Sequence, residues 1–220
     1  MSVRRPSIVA FDVIETLFSL APVADELARL DVGLDLFFAR VLRDGFALAA
    51  SGTYRPFGEV ASAALAGLAP HTSTEARDHV LAAFRRLPAH PDAEPALRSL
   101  VEADVAVVAL TNGSADTTSE LLAQAGLDRY IARVVGVEDA GAWKPTPTPY
   151  RHLVELLHRE PGDVGFVAVH AWDIHGASRA GLVTGWCSRL EHHYPAIFDR
   201  PDVSADDLGG VAAGLLARMA

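Results

Sequence analysis

Asp12 stands at the end of the apolar run Ile8, Val9, Ala10, Phe11, and Thr16 follows it four residues later. A β-branched and aromatic run of this length reads as a short interior strand of a parallel sheet. Ligands of such sheets bind outside the carboxyl ends of the strands, so Asp12 would face a crevice. A carboxylate with an ordinary pKa is ionised near neutral pH and can attack carbon or phosphorus, leaving an ester or an acyl phosphate. Taken alone, Asp12 reads as a turn cap. Thr16 reads either as a helix or turn cap or as a hydroxyl turned back on the carboxylate.

Three later clusters repeat the pattern of an apolar run followed by polar residues. Thr111, Asn112, Gly113 and Ser114 follow the run 105–110, and a hydroxyl with backbone N–H groups at a helix start makes an anion site. The same four residues also read as a plain turn. Trp143, Lys144 and Pro145 precede Tyr150 by a few residues; by itself the lysine is a solvated surface charge. His170, Ala171, Trp172 and Asp173, then Gly176 and Ala177, follow the run 165–169. Trp172 there reads equally as core packing.

The elements that would carry these clusters alternate. Strands are expected over 8–11, 105–110, 133–137, 165–169 and 182–186. Helices are expected over 94–103, 115–125, after Pro149, over 174–180 and over 205–218. Such alternation implies a parallel sheet with right-handed crossovers. Between the first strand and the rest, residues 22–30, 34–50, 56–68 and 74–87 carry apolar residues at spacings of three and four. The expected fold is therefore α/β, a Rossmann-like core (1–16 and 90–220) with an inserted all-helical cap (17–89). A lid of helices over a strand tip excludes bulk water and contacts substrate.

Composition narrows the partners. The 220 residues are 50% hydrophobic, enough for a substantial core, and the net charge of -9 argues against nucleic acid or an anionic membrane as general partner. A small anionic substrate remains compatible, because local cations decide that. The single cysteine, Cys187, lies in an apolar segment and suits a reducing cytoplasm. The start MSVRRPS shows no signal peptide, and no apolar stretch has the roughly twenty residues needed to span a membrane.

Together the four clusters resemble the signature motifs of the haloacid dehalogenase superfamily, most closely the type II 2-haloacid dehalogenases, over nearly the whole chain. Asp12 and Thr16 match the ends of DxxxT, and Ala171, Trp172, Asp173, Gly176 and Ala177 match AWDxxGA. The resemblance implies a hydrolase without a cofactor, in which Asp12 displaces halide from the carbon next to a carboxylate. It gives Thr111 the substrate carboxylate and leaves Asn112 to shape the loop or touch substrate. Lys144 would hold Asp12, Tyr150 would bond near the lysine or pack, Asp173 would orient Lys144 or the hydrolytic water, and Trp172 would line the pocket. It also implies a homodimer.

Several positions depart from the relatives. Phosphatases of the superfamily carry a second Asp where Ile14 stands and an extra acid, used for magnesium, where Val169 stands. The dehalogenases carry tyrosine at the place of Ile14, glycine at Glu15, and serine and asparagine at Ala168 and His170. His170 is expected to be either a neutral base toward water or a hydrogen-bonding wall. The cap arginine of the dehalogenases aligns with Phe38, so either a small shift brings Arg40, two residues on, into the cleft, with Arg43 as the fallback, or this anchor is absent. Two other readings stay open: a phosphatase or phosphonate hydrolase with an atypical metal site, and a non-catalytic homologue that binds a small anion or a protein.

Overall fold

The computed structural model describes residues 5–218. Residues 1–4 and 219–220, which include part of the start read above as lacking a signal peptide and the end of the expected core, lie outside the described residues. Six parallel strands form one sheet: β1 (Ile8–Phe11), β2 (Ala106–Thr111), β3 (Ile131–Gly136), β4 (Val164–Ala168), β5 (Val183–Cys187) and β6 (Val203–Ala205), in the order β3-β2-β1-β4-β5-β6. From β1 the chain winds one way to β2 and β3 and the other way to β4, β5 and β6. The strand order reverses at β1, and a crevice opens there at the carboxyl ends.

The pleat sorts the core into two faces. Ile8, Ala10, Val108, Leu110 and Phe166 point to one side, where they meet Tyr150 and Leu153 of α7 (Pro147–Leu157) and Ile174 and Ala177 of α8 (Ala171–Arg179). Val9, Phe11, Val107, Ala109 and Val167 point to the other, against α5 (Ala93–Glu102), α6 (Ala115–Gln124) and α9 (Leu208–Leu216). Four helices lie between β1 and α5: α1 (Ala21–Ala28), α2 (Leu34–Ala50), α3 (Phe57–Leu68) and α4 (Thr74–Ala83). Their buried residues, including Phe37, Val41, Val60 and Val80, belong to the same continuous core as this second face of the sheet.

Several boundaries differ from expectation. The fourth helix stops at Ala83, not 87, and α8 begins at Ala171, three residues before the first large apolar residue of its periodic stretch. His170 is extended (φ -89°, ψ 121°), so the helix starts directly after it and Asp173 falls in the first turn. The closing helix starts at Leu208, capped by the Asp207 side chain, which accepts from Gly210 N at 2.6 Å. The residues before it form the edge strand β6, too short and too exposed to show an apolar run.

One contact couples the inserted helices to the loop that carries Lys144. Trp143 is buried, donates through Nε1 to the Arg55 carbonyl at 2.8 Å and stacks on Phe57 at 5.8 Å. Gly45 of α2 lies under its ring, where an added Cβ would come within 2.3 Å of the indole. Gly45→Ala is therefore expected to destabilise the protein by about 1–3 kcal/mol through overpacking. Gly58→Ala, whose Cβ meets open space, should be neutral or stabilise by up to about 1 kcal/mol. Urea unfolding of the two variants checks the contrast, and equal stabilities would refute the packing account.

Candidate active site

Asp12 leaves β1 with its N–H on the Val167 carbonyl (2.9 Å), which fixes it against β4. The turn that follows brings Thr16 back, and its hydroxyl donates to Asp12 Oδ2 at 2.7 Å. The same Thr16 oxygen accepts from Val169 N at 3.1 Å, so one hydroxyl ties the ends of β1 and β4 to the carboxylate. Lys144 comes from the loop after β3. Its Nζ is fully buried and donates to Asp12 Oδ1 (2.8 Å), Asp173 Oδ2 (2.6 Å) and the Leu110 carbonyl (3.1 Å), which uses all three hydrogens.

Each partner of the lysine is itself held. Asn112 clamps the Lys144 backbone from both sides, accepting from its N–H at 2.9 Å and donating to its carbonyl at 3.3 Å. Tyr150 donates its hydroxyl to Asp173 Oδ1, so both oxygens of Asp173 are occupied. Gly176 permits this: a Cβ there would lie 2.8 Å from the Pro145 carbonyl and 2.7 Å from the Tyr150 oxygen. A side chain at 176 would push α8, and Asp173 with it, away from the lysine.

The charges follow from burial and proximity. Burial pushes the Asp12 carboxyl up, but Lys144 and His170 outweigh it and hold the group below the ordinary carboxylate range. Burial lowers the Lys144 ammonium, and Asp12 and Asp173 more than reverse that, leaving it raised and charged. For Asp173, burial wins over Lys144 and the carboxyl is raised. The Tyr150 hydroxyl, buried against Asp173, is raised well above its usual value and stays a donor.

His170 sits on the other side of Asp12. Its Nε2 is 2.9 Å from Glu15 Oε2 and its Nδ1 is 3.6 Å from Asp12 Oδ2. Burial lowers its pKa, but the two carboxylates raise it to about 10. Between these two carboxylates the imidazole is held towards its charged form while Asp12 is ionised. Glu15 was read as a departure from the glycine of the dehalogenases and not as a site residue, and its left-handed backbone (φ 65°) is one that glycine adopts freely.

The space over Asp12 is small. A cavity of about 20 Å³ is lined by Asp12, Ile14, Phe38, Leu42, Phe57, Thr111, Asn112, Gly113, His170 and Trp172, room for about one water. Thr111 accepts from Gly113 N at 2.9 Å, so its own proton is free to point into this space. Trp172 both lines it and packs edge-on against Phe46 of α2 at 4.9 Å. Beyond Ile14 and Phe57 lies a larger, mostly apolar cavity of about 600 Å³.

Arg40 does not reach the site. Phe38 and Leu42, four apart, present one face of α2 to the cavity. Arg40 is two residues from Phe38, about 200° around the helix, and its guanidinium faces Gly67 of α3. Arg43 pairs with Asp44 on the surface at 2.8 Å. Of the two alternatives, Arg40 shifted into the cleft or no such anchor, the first is corrected, because Arg40 lies on the far side of α2.

The residues present do not suit a divalent ion. Such an ion needs several oxygen ligands, whereas here an ammonium occupies the gap between Asp12 and Asp173, and Val169 and Ile14 are apolar. Among the described residues no group of three or more His, Cys, Asp or Glu side chains is arranged to hold a metal.

Comparison with known proteins agrees with this architecture. An (S)-2-haloacid dehalogenase of Xanthobacter autotrophicus is 32% identical over 193 residues, 83% of this chain and 75% of that protein. The crystal structure of an L-2-haloacid dehalogenase superposes with a TM-score of 0.89 at 25% identity, covering 99% of this chain and all of that one (100%). That of the L-2-haloacid dehalogenase from Xanthobacter autotrophicus with chloropropionic acid covalently bound gives 0.85 at 25% identity, covering 94% and 97%. Residues 6–181 match the haloacid dehalogenase-like hydrolase family model, and the chain belongs to that family.

Proposed function

We propose that this protein hydrolyses small 2-haloacids through an ester on Asp12. The observation that carries the reading is the position of the Lys144 ammonium between Asp12 and Asp173, which keeps the Asp12 carboxylate ionised and buried. An Asp12 oxygen displaces halide from C2, and the electron pair of the carbon–halogen bond leaves with the halide. A single displacement inverts that carbon. Halide needs no proton to leave, so the apolar Ile14 beside Asp12 is acceptable. Water then cleaves the ester.

The remaining residues take supporting roles in this reading. Thr16 and Lys144 fix the two oxygens of Asp12 at 2.7 and 2.8 Å, the preorganisation that lowers a charge-transfer barrier. The Thr111 hydroxyl and the Asn112–Gly113 loop receive the substrate carboxylate, and the His170 cation supplies the positive potential that no arginine of α2 provides. Asp173 and Tyr150 hold the lysine. Residues 17–89 act as a cap over the core formed by 1–16 and 90–220, and substrate enters when Phe57 and its helix move aside, because one water's volume cannot admit a haloacid. Among the described residues no helix is long and apolar enough to cross a membrane. A reducing cytoplasm and a homodimeric state complete the proposal.

Asp12→Asn is expected to reduce halide release from 2-chloropropionate by at least about 10³-fold with the fold intact. Lys144→Met should lower kcat by about 10²–10³-fold and stability by about 3–5 kcal/mol, because it leaves two carboxylates buried and unpaired. Halide assays with chelator present, together with urea unfolding, check both; undiminished release by Asp12→Asn would remove the proposed nucleophile.

Stability should also depend on pH in a way set by this site. His170 binds its proton more tightly folded than unfolded, so its contribution is complete below its ordinary value of 6.5 and is lost as pH rises through about 10. Asp12 is depressed, so its contribution is present above 3.8 and is lost as pH falls below that. Thermal melts should show a plateau between these limits and a decline on the alkaline side that His170→Asn flattens. An unchanged alkaline limb in that variant would contradict the charge assigned to His170.

A further inference from the structure

Glu15 is held in a conformation that L side chains rarely adopt, with φ of 65°. The strain is fixed from outside the turn. Glu15 N donates to the Phe18 carbonyl at 2.8 Å, and Arg189, from the loop after β5, donates to the Thr16 carbonyl at 2.6 Å while paired with Asp92. What this backbone delivers is one carboxylate against His170 Nε2 at 2.9 Å. The opposite ring nitrogen, Nδ1, is buried, has no hydrogen-bond partner among the described residues, and faces Asp12 beside the cavity with the volume of one water. A base oriented by a carboxylate, with its free nitrogen at the reaction centre, is the arrangement that general-base catalysis requires.

Asp173 is poorly placed for that task. It is fully buried, one oxygen is bound by Lys144 and the other by Tyr150, and it does not line the cavity over Asp12. We infer that Glu15 and His170 form a carboxylate–imidazole pair that takes the proton from the water hydrolysing the Asp12 ester, and that the pair becomes basic only once Asp12 is esterified. This rests on the function proposed above.

The switch follows from charge. The groups facing His170 are Asp12 and Glu15 from the turn after β1 and Glu191 from the loop after β5, with Lys144 reached through Asp12. Phe38 and Trp172 present uncharged rings at 6.5 and 5.2 Å. When an Asp12 oxygen bonds to C2, the carboxylate becomes a neutral ester and the anion nearest Nδ1 disappears, while burial remains. The Nδ1 proton is then released with the halide, the two together being HX. Water in the cavity gives a proton to Nδ1 as its oxygen bonds to the Asp12 carboxyl carbon. The adduct breaks its bond to the substrate oxygen, which takes the proton from Nδ1 and leaves as the 2-hydroxyacid. The Asp12 carboxylic acid finally passes its proton to His170, which restores anion and cation.

Rapid quench of wild type, His170→Asn and Glu15→Gln with excess (S)-2-chloropropionate, followed by halide assay and intact mass, tests the pair. Both variants should accumulate the mass of the ester with a burst of about one halide released per site, His170→Asn more slowly because it also loses the cation beside the substrate. Their hydrolysis step should be slowed by about 10²–10⁴-fold for His170→Asn and less for Glu15→Gln, which keeps the imidazole. Merely structural damage would lower burst and turnover together without trapping an ester, and that result, or unchanged turnover in both variants, would overturn the inference. If the Asn variant does not fold, Glu15→Gln alone decides by the same criterion. Absence of halide release by the wild type would instead overturn the function on which the pair rests.

Discussion

One ammonium group lies buried at the centre of this molecule, with a carboxylate on either side. Lys144 Nζ reaches Asp12, Asp173 and the Leu110 carbonyl at hydrogen-bonding distance and is fully buried. Taking such charges out of water is costly, and their attraction offsets the cost only when geometry is good and remaining polar atoms are satisfied. Here they are: Thr16 completes Asp12, and Tyr150 completes Asp173. Removing the lysine leaves both carboxylates buried and unpaired, so their placement depends on it. The same arrangement leaves Asp12 ionised and short of solvent, the state in which a carboxylate is most reactive as a nucleophile.

The fold supplies this geometry from segments far apart in sequence. Asp12 and Thr16 follow β1, Thr111 ends β2, Lys144 lies in the loop after β3, and Asp173 is in the first turn of α8 after β4. These strands are neighbours around the point where strand order reverses, so the parallel register brings four chain segments to one spot. Close approaches then set the last ångström: Gly176 lets α8 settle on the Lys144–Pro145 loop, and Gly45 lets α2 settle on Trp143. The helices between β1 and α5 share one apolar core with the sheet, so they are packed onto the loop that carries the lysine and not merely suspended above it.

Much of this was legible in the sequence, for physical reasons. An apolar run of four to six residues that ends in a lone polar side chain announces a buried strand with something at its tip, and Asp12, Thr111 and the stretch before His170 follow that rule. Long helices with three- and four-residue spacing were equally plain; α2 spans Leu34–Ala50 as its periodicity indicates. Short, half-exposed structure was not, and β6, three residues at the sheet edge, carries no apolar signal. Side-chain direction was also hidden. Arg40 lies on the wrong side of α2, which depends on the helix's rotation against the core. The charge of His170 depends on Glu15, whose contact comes from an unusual backbone angle and from Arg189, 174 residues away from it along the chain. Neither periodicity nor spacing encodes such a contact.

The account's central claim is that Asp12 forms a covalent ester whose carboxyl carbon, not C2 of the substrate, is attacked by water. A single turnover in ¹⁸O-labelled water with enzyme in excess over (S)-2-chloropropionate, read by mass spectrometry of the peptide containing Asp12 and of the product, tests it most directly. The account predicts one heavy oxygen in the Asp12 carboxylate and an unlabelled 2-hydroxypropionate. Label in the product with none in the peptide would mean that water attacks the substrate itself, and would contradict it.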